Sequence, residues 1–452
     1  MGRATGKGGW AVSRSVGIVG AGQAGIVLAA ELLRGGFRVT LYSDRGPEDY
    51  LADRGRPTAC LFGEQVVRER ELGLTFWDGT APSIERIHLD LCAADRLVLF
   101  SIAAPLRLPA LAVDQRLKFA YGMRELATRG VLISVDAISF EKLDALAAEY
   151  DVTVVTAGHQ GFGSTLFERD PKRSVHNRPK RNLFMVNIRD YDLAAGLHHE
   201  HLKFSFIPGV AEIFWVPFLD KDAGPCISVV VEAVPGGAAD RFTDIGSAQQ
   251  GVHVLRGLAR DLLPWEAAFL APAAPTSPLT WLTGAITPTV RKPVRRLPSG
   301  RSVLGLGDAV VLNDPLAGQG ANNATRMARF FAERLAARGD GPFDADWLNG
   351  QFDEFWTYGR FVNDFSNALL EPRAGFQQDL LIAASRHPEI GSAIFDGFGD
   401  PAGLFPWFAE PTAARAFLRQ HQVSRTDVLR YKIGVAGKVL GHQLSQRLNQ
   451  RG

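Results

Sequence analysis

The apolar positions of the first 45 residues predict a strand, a helix and a second strand. Three apolar segments, separated by glycines, cover residues 15–19, 26–34 and 38–42. The outer two are short uninterrupted runs, whereas the middle one carries its apolar residues at helical spacing. A helix between two short strands indicates a βαβ unit.

The rest of the chain divides into a strand-rich part and a helical part. Apolar runs and alternation predict strands at residues 87–91, 97–101, 152–155 and 303–306, and long aromatic-rich strands between residues 182 and 283. Helical spacing predicts helices at residues 328–338, 346–363 and 377–386, and an amphipathic, basic stretch from about residue 424 to the end. The pattern therefore predicts an α/β fold with a helical C-terminal region.

Composition indicates an ordinary globular protein with neither a nucleic-acid nor a membrane partner. The 452 residues are 46% hydrophobic and 22% charged, and the net charge is +2. The three cysteines lie far apart and form neither a disulfide framework nor a zinc site. Residues 1–14 lack the apolar centre of a signal peptide, and no apolar run is long enough to span a bilayer. We therefore expect a disordered leader over residues 1–14 and a cytoplasmic protein.

The first predicted turn carries a dinucleotide-binding motif. Its sequence, GAGQAG, follows a predicted strand, precedes a predicted helix and has the spacing G-x-G-x-x-G. Glycines at these positions let a pyrophosphate approach the backbone at the N-terminus of a helix. The residues that we assign to cofactor binding here are Gly20, Gly22, Gln23, Ala24 and Gly25.

A second glycine-rich turn predicts the other half of a flavin site. In residues 301–326, RSVLGLGDAVVLNDPLAGQGANNATR, an apolar strand leads to a Gly-Asp turn, a glycine-rich loop and a helix that begins near residue 321. The carboxylate of Asp308 can accept hydrogen bonds from a sugar-like chain, and glycines expose backbone N–H groups at the helix N-terminus. The residues that we assign to FAD binding here are Asp308, Gly318, Gln319 and Ala321.

The sequence leaves several contacts to the nucleotide undecided. The acidic residue expected after the second strand is missing, and Asp44 and Arg45 follow instead. Either Asp44 reaches the ribose or Arg45 packs on the nucleotide; the alternative is a solvated charged turn. Arg116 either reaches the cofactor or is an exposed residue of an amphipathic helix. Gly158 ends a predicted strand, where we expect the backbone to approach the cofactor closely.

The aromatic strands predict the wall of an apolar substrate cavity, with plain core packing as the alternative for each residue. The residues assigned to this cavity are Thr58, Phe204, Phe206, Phe214, Trp215 and Pro217. The cluster His198, His199 and His201 does not predict a metal site. Adjacent side chains on an extended segment point to opposite faces, and no cysteine or carboxylate set completes the ligands.

The two glycine turns with an aromatic sheet between them resemble the p-hydroxybenzoate-hydroxylase-like flavoproteins and, within them, the styrene and indole monooxygenases. The motifs that carry the resemblance, over about residues 15–420, are GIVGAGQAG, VTLYSDR, VDQR, LKFSFIPG, GAITPTVR and LGLGDAVVLNDPLAGQGAN. The family has Asn-Thr before the flavin ring where this chain has Pro57-Thr58. The expected domains are a Rossmann-type FAD-binding domain of residues 15–180 and 284–340, a β-rich substrate domain of residues 181–283, and a helical region of residues 341–452.

The resemblance implies the oxygenase component of a two-component enzyme. A separate NADH-dependent flavin reductase supplies reduced FAD, which forms a flavin hydroperoxide with O2 and epoxidises a small aromatic substrate such as styrene or indole. The protein then has to bind the flavin, hold the substrate and exclude water. We expect Pro315, Gly320 and Asn322 beside the reactive ring, with Asn322 or Asn323 donating a hydrogen bond to the flavin; the alternative for either asparagine is a helix N-cap. A homodimer is a further expectation.

Three other functions are weighed against this one. A same-fold tailoring hydroxylase of a larger indole or aromatic natural product stays open, because the family's Asn-Thr is replaced here. A flavin-dependent halogenase is disfavoured, since the sequence contains no W-x-W-x-I-P segment. A non-catalytic flavin-binding sensor would bind FAD without inserting oxygen into a product.

Overall fold

The computed structural model describes residues 14–158, 162–195 and 201–449. The strands β1 to β17 are, in chain order, Ser15–Val19, Arg38–Ser43, Cys60–Leu61, Ser83–Ala93, Leu97–Ala112, Leu132–Val135, Val152–Val155, Asn182–Arg189, His201–Ile207, Ala211–Asp220, Gly224–Ala233, Ala274–Pro275, Trp281–Ala285, Thr289–Val290, Val294–Arg296, Ser302–Gly305 and Val311–Leu312. The helices α1 to α14 are Gln23–Arg34, Pro47–Ala52, Gly63–Glu71, Gln115–Thr128, Phe140–Glu149, Phe162–Leu166, Ala248–Leu262, Ala267–Leu270, Gln319–Ala337, Ala345–Leu370, Gly375–Ala384, Pro388–Gly399, Pro411–Gln420 and Arg425–Asn449. The predicted leader, apart from Arg14, and His198 and His199 lie outside the described residues.

A mainly parallel sheet brings the two glycine turns to one edge. Its strand order is β15-β16-β7-β1-β2-β6, and every neighbouring pair is parallel except β15 with β16. Strand β7 pairs with β1 on one side and with β16 on the other. Because parallel strands end at the same edge of a sheet, the turns that follow β1 and β16 lie close together. The strands predicted at residues 15–19 and 152–155 are confirmed.

A second sheet separates two buried clusters of side chains. Its order is β12-β8-β11-β10-β9-β4-β5-β3, and β13 also pairs with β8. Because side chains alternate along a strand, Phe204 and Phe214 lie on one face with residues of the C-terminal helices, while Trp215 lies on the other. Helix α7 covers the Trp215 face. This helix falls within the segment that we predicted as strands, so that part of the prediction is wrong.

The C-terminal helices close the first of these faces. Phe365 of α10 and Phe398 of α12 are buried in the cluster that contains Phe204 and Phe214. Helices α10, α11 and α14 occupy the stretches predicted from helical spacing, whereas α12 and α13 were not predicted. None of the described helices is both long and apolar enough to cross a bilayer. The helical region therefore serves as one wall of the space beside the second sheet.

Candidate active site

The two glycine turns, almost 300 residues apart in the sequence, contact each other in the structure. A Cβ atom placed on Gly307 would lie 3.0 Å from the Cβ of Ala24. The amide Nε2 of Gln23 donates to the hydroxyl of Thr325 on α9 at 2.9 Å and to Glu69 at 2.7 Å. The N-terminus of α1, the N-terminus of α9 and Asp308 therefore belong to one site.

The first turn has the geometry of an anion cradle. A Cβ on Gly20, whose φ is 119°, would lie 2.6 Å from the backbone N of Ala157, and one on Gly25 would lie 1.8 Å from the carbonyl oxygen of Gly20. Around Gly22, by contrast, no described atom lies within 4 Å of an added Cβ. Helix α1 has neither a side-chain cap nor an acidic residue in its first turn. Its free N–H groups therefore fit the pyrophosphate of FAD.

The second turn repeats this arrangement at α9. Gly318 has a φ of 61° and caps the helix, and no side chain caps α9. A Cβ on Gly320 would meet only the Oδ1 atom of Asp308, at 3.8 Å, among the described atoms. Burial raises the pKa of Asp308 to about 6, and nearby Arg291 opposes the shift. A largely desolvated carboxyl group beside an open helix N-terminus fits a hydroxyl-bearing chain such as the ribityl group of FAD.

The side chain of Asn322 holds the loop instead of pointing to a ligand. Its Oδ1 accepts from the backbone N–H of Phe62 at 2.9 Å, and its Nδ2 donates to the carbonyl oxygens of Cys60 at 2.8 Å and Gly318 at 2.7 Å. Both amide protons are therefore occupied. This corrects the expectation that Asn322 bonds the flavin, and the alternative role is wrong as well, because Gly318 is the N-cap.

Gln319 is likewise occupied within the protein. Its fully buried amide donates to the carbonyl oxygens of Ala317 and Phe398, each at 2.9 Å. Only its backbone, like that of Ala321, remains available to a cofactor at the start of α9. The side chain thus fastens the loop to α12.

Asp44, Arg45 and Arg116, the charged residues considered for contacts to the nucleotide, lie in different environments. The side chain of Asp44 is 64% exposed, and Arg45 donates to Asp53 at 2.5 Å. The guanidinium of Arg116 is buried against Asp114 at 2.6 Å. An ion pair inside the protein therefore engages Arg116, contrary to both the exposed and the cofactor-contacting interpretations. Gly158 is exposed, with no described atom within 4 Å of an added Cβ.

An apolar cavity of about 240 Å³ adjoins the second turn. Residues that line it include Thr58, Phe204, Phe214, Pro315, Gly318 and Phe398. The Thr58 hydroxyl shares a 2.5 Å hydrogen bond with the hydroxyl of Ser228. The loop before α9 and the aromatic strands therefore line the same cavity.

The structure corrects part of the predicted cavity wall. The ring of Trp215 packs edge-on against Phe269, 5.8 Å between centroids, on the opposite face of β10, and Pro217 shares that face by alternation. Phe206 lies on the same face as Phe204 but beyond the cavity. Glu232, which sequence reasoning missed, lines the cavity. An acidic residue inside the apolar run CISVVVEAV was the signal that could have identified it.

A larger cavity of about 760 Å³ lies between α11, α14 and the edge of the second sheet. None of its lining residues comes from either glycine turn. The smaller cavity is therefore the candidate active site. None of the described residues forms a group of three or more potential metal ligands.

Replacing Asn322 with alanine is expected to destabilise the FAD-loaded protein. The change leaves one buried N–H group and two carbonyl oxygens without partners, which costs about 3 kcal/mol. The matched control is Asn323→Ala, because Asn323 is similarly buried but, among the described residues, donates only to the sulfur of Met327. The free energy of unfolding of this variant should fall by less than about 1 kcal/mol. Urea denaturation measures both, and equal losses would contradict the role given to Asn322.

Replacing Asp308 with asparagine is expected to stabilise the FAD-free protein above pH 6. Since the pKa of Asp308 is raised to about 6 from an ordinary 3.8, ionisation lowers the free energy of unfolding at high pH, and this loss shrinks as the pH falls from 6 towards 4. The variant should gain about 1–2 kcal/mol at pH 8 and roughly half of that at pH 5. Urea denaturation at both pH values tests this, and equal gains would contradict it. The affinity of the Asp308→Asn variant for FAD should fall, because the carboxylate that fits the ribityl hydroxyls is lost.

Two kinds of sequence match agree with this site. The family model described as "Styrene monooxygenase A putative substrate binding domain" matches residues 158–268. A protein named styrene monooxygenase StyA, from Pseudomonas fluorescens, is 27% identical over 423 residues, which cover 91% of this chain and 99% of that protein. The matched family model spans the strands that carry Phe204, Phe214 and Glu232.

Solved structures show the same fold at low identity. A flavoprotein/dehydrogenase from Cytophaga hutchinsonii is 14% identical with a TM-score of 0.63, over 93% of this chain and 99% of that one. A variant of 2-methyl-3-hydroxypyridine-5-carboxylic acid oxygenase is 16% identical with a TM-score of 0.57, over 83% and 97%. The fold is therefore that of the p-hydroxybenzoate-hydroxylase-like flavoproteins.

Both glycine turns fit FAD, and the sequence matches extend over nearly the whole chain. The matched relatives and the matched substrate-binding domain share one activity class. The chain is similar to the styrene monooxygenases over nearly its whole length, and it is an FAD-dependent monooxygenase.

Proposed function

We propose that the protein is the oxygenase component of a two-component monooxygenase that epoxidises a small aromatic alkene or indole. It takes reduced FAD from a separate NADH-dependent flavin reductase and uses O2 as the oxidant. The observation that carries this proposal is the shared position of Pro315, Leu316 and Gly318. They form the loop at the N-terminus of α9 and also line the aromatic cavity. A substrate in the cavity would therefore contact the loop that holds the flavin.

The two glycine turns would bind different parts of FAD. Residues 20–25 would hold the pyrophosphate at the N-terminus of α1, and Asp308 would accept from the ribityl hydroxyls. The open N–H groups at the start of α9 favour negative charge on the flavin ring. Reduced FAD held by these residues would supply the oxygen-transfer chemistry, with O2 as the oxidant.

The cavity wall supplies orientation and excludes water. The Phe204 ring meets that of Phe214 edge-on, with centroids 4.9 Å apart, and stacks on Phe398 at 5.5 Å. Burial raises the pKa of the Cys60 thiol to about 12, so this group stays protonated and is no nucleophile. Rigid aromatic walls suit an apolar ring and protect a reactive oxygen donor from water.

The dependence on a reductase is supported by the family and by the sequence. The chain contains one G-x-G-x-x-G motif, at residues 20–25, which the FAD site uses. A nicotinamide nucleotide would need a binding site of its own for direct flavin reduction. We therefore expect NADH to be consumed only when a reductase is added.

Oxygen transfer is tested with the purified protein, FAD, an unrelated flavin reductase and NADH under 18O2. Styrene and indole are offered separately, and products are identified by mass spectrometry. We expect 18O-labelled styrene oxide or labelled indole oxidation products, formed only with the reductase. Hydrogen peroxide alone would contradict epoxidation of these substrates, and product formed from NADH without a reductase would contradict the two-component assignment.

The cavity wall is tested by a pair of neighbouring substitutions on β10. Phe214→Ala removes a ring that lines the cavity, so KM for the oxidised substrate should rise about tenfold. Trp215→Phe changes a ring on the opposite face and should leave KM within about twofold. Steady-state kinetics at saturating reduced FAD measures both values. An equal effect of the two substitutions would contradict the assignment of the cavity.

A further inference from the structure

The larger cavity, of about 760 Å³, has no part in the reaction proposed above. Strands β4 and β5, the end of α10 and helices α11 and α14 line it. The apolar side chains of its wall include Leu91, Leu99, Phe100, Leu381, Ile382 and Val435. Its volume lies in the range of small-molecule sites, so the wall suits the hydrocarbon part of a ligand.

Five charged side chains of the described residues line this cavity, and four of them are paired within the protein. The ion pairs are Arg181 with Glu212 at 2.7 Å, Lys180 with Glu371 at 2.9 Å, and Lys432 with Asp379. The fifth charged side chain is Arg373. Within the described part of the chain, neither a carboxylate nor any other acceptor forms a hydrogen bond with its guanidinium. The wall therefore carries one uncompensated positive charge.

Arg373 is held in place although its donors are free. Its side chain is half-buried, and its Cζ atom lies over the ring of Phe206, 4.7 Å from the ring centroid. Its carbonyl oxygen accepts from Nε2 of Gln378 at 3.1 Å, which fixes the start of α11 against the segment before it. An aromatic ring attracts a guanidinium without occupying its N–H groups as an acceptor oxygen does. The N–H groups therefore remain available to a ligand in the cavity.

The surroundings of Arg373 make a bound anion favourable. Burial lowers the pKa of its guanidinium, Glu212 raises that pKa and Arg181 lowers it. An arginine side chain nevertheless stays protonated near neutral pH. A cation that is partly removed from water and has no partner is unfavourable, and an anion beside it relieves that cost.

We propose that the larger cavity binds a monocarboxylate with an apolar body, such as a medium-chain fatty acid, and that Arg373 holds its carboxylate. A guanidinium presents two parallel N–H groups that match the two oxygens of a carboxylate. The apolar body would lie along Leu99, Ile382 and Val435. One unpaired cation fits one negative charge, and the ligand is neither the flavin nor the oxidised substrate.

A pair of aromatic rings separates this site from the active-site cavity. Phe206, which contacts Arg373, meets Phe204 edge-on with centroids 6.2 Å apart. Phe204 lines the active-site cavity, whereas Arg373 lines the larger one. The carboxylate and the oxidised substrate should therefore bind at the same time. The inference does not rest on the proposed function.

Two probes with the same chain length isolate the charge. Octanoate and 1-octanol share an apolar chain, but only octanoate is an anion. A charge-assisted hydrogen bond stabilises the complex more than a neutral one. We expect the protein loaded with oxidised FAD to bind one octanoate about tenfold more tightly than 1-octanol in isothermal titration calorimetry. Acetate, which lacks the chain, should bind far more weakly than octanoate.

Three substitutions assign this preference to the larger cavity. Arg373→Met removes the charge but keeps a long apolar side chain, so the preference for octanoate should fall to about one. Lys432→Met is the matched control, because it removes a cation of the same wall that Asp379 already pairs; the preference should stay within about twofold. Val435→Trp fills the apolar part of the cavity and should weaken both probes. FAD stoichiometry near one shows that each variant is folded.

Three results would overturn the inference. The first is a wild-type protein that binds 1-octanol as tightly as octanoate. The second is a preference that survives Arg373→Met, or octanoate binding that Val435→Trp leaves unchanged. The third is displacement of octanoate by saturating styrene or indole, because it would place the probe in the active-site cavity instead.

Discussion

The structure depends on bringing two glycine-bounded helix N-termini to one edge of a parallel sheet. Strands β1 and β16 flank β7, so the turns that follow them meet although they are far apart in the sequence. Each turn needs glycine where another chain segment or a ligand passes close to the backbone, as Gly25 shows at the carbonyl of Gly20. The backbone N–H groups at the N-termini of both helices favour the binding of an anionic dinucleotide at this edge.

The remainder of the chain turns that edge into a closed reaction space. The second sheet contributes aromatic side chains from one face only, and α12 adds Phe398 from the opposite side. Asn322 joins the loop to the segment around Phe62, and Gln319 joins it to α12. The loop before α9 is thus fixed by hydrogen bonds at several points, while the cavity is lined mostly by apolar side chains.

The local sequence pattern predicted those parts of the fold that are determined by residues close together in the sequence. The βαβ unit, both glycine turns and the aromatic strands follow from spacing that is visible in the sequence. The roles of Asn322 and Arg373 do not, because their partners lie in other elements, 260 residues away in the case of Asn322 and Phe62. Trp215 was assigned to the cavity because aromatic composition alone does not show which face of a strand lines a cavity and which face packs in the core. Helix α7 was missed because it interrupts a segment that is otherwise made of strands.

Amide hydrogen exchange with and without FAD tests the central claim most directly. If one flavin is held by both turns, FAD should slow exchange together in residues 20–25 and 318–322, with little change in helix α7 on the far face of the second sheet. Protection of the first turn alone, or of neither turn, would contradict the account. It would show that the contact between the two turns does not form the flavin site.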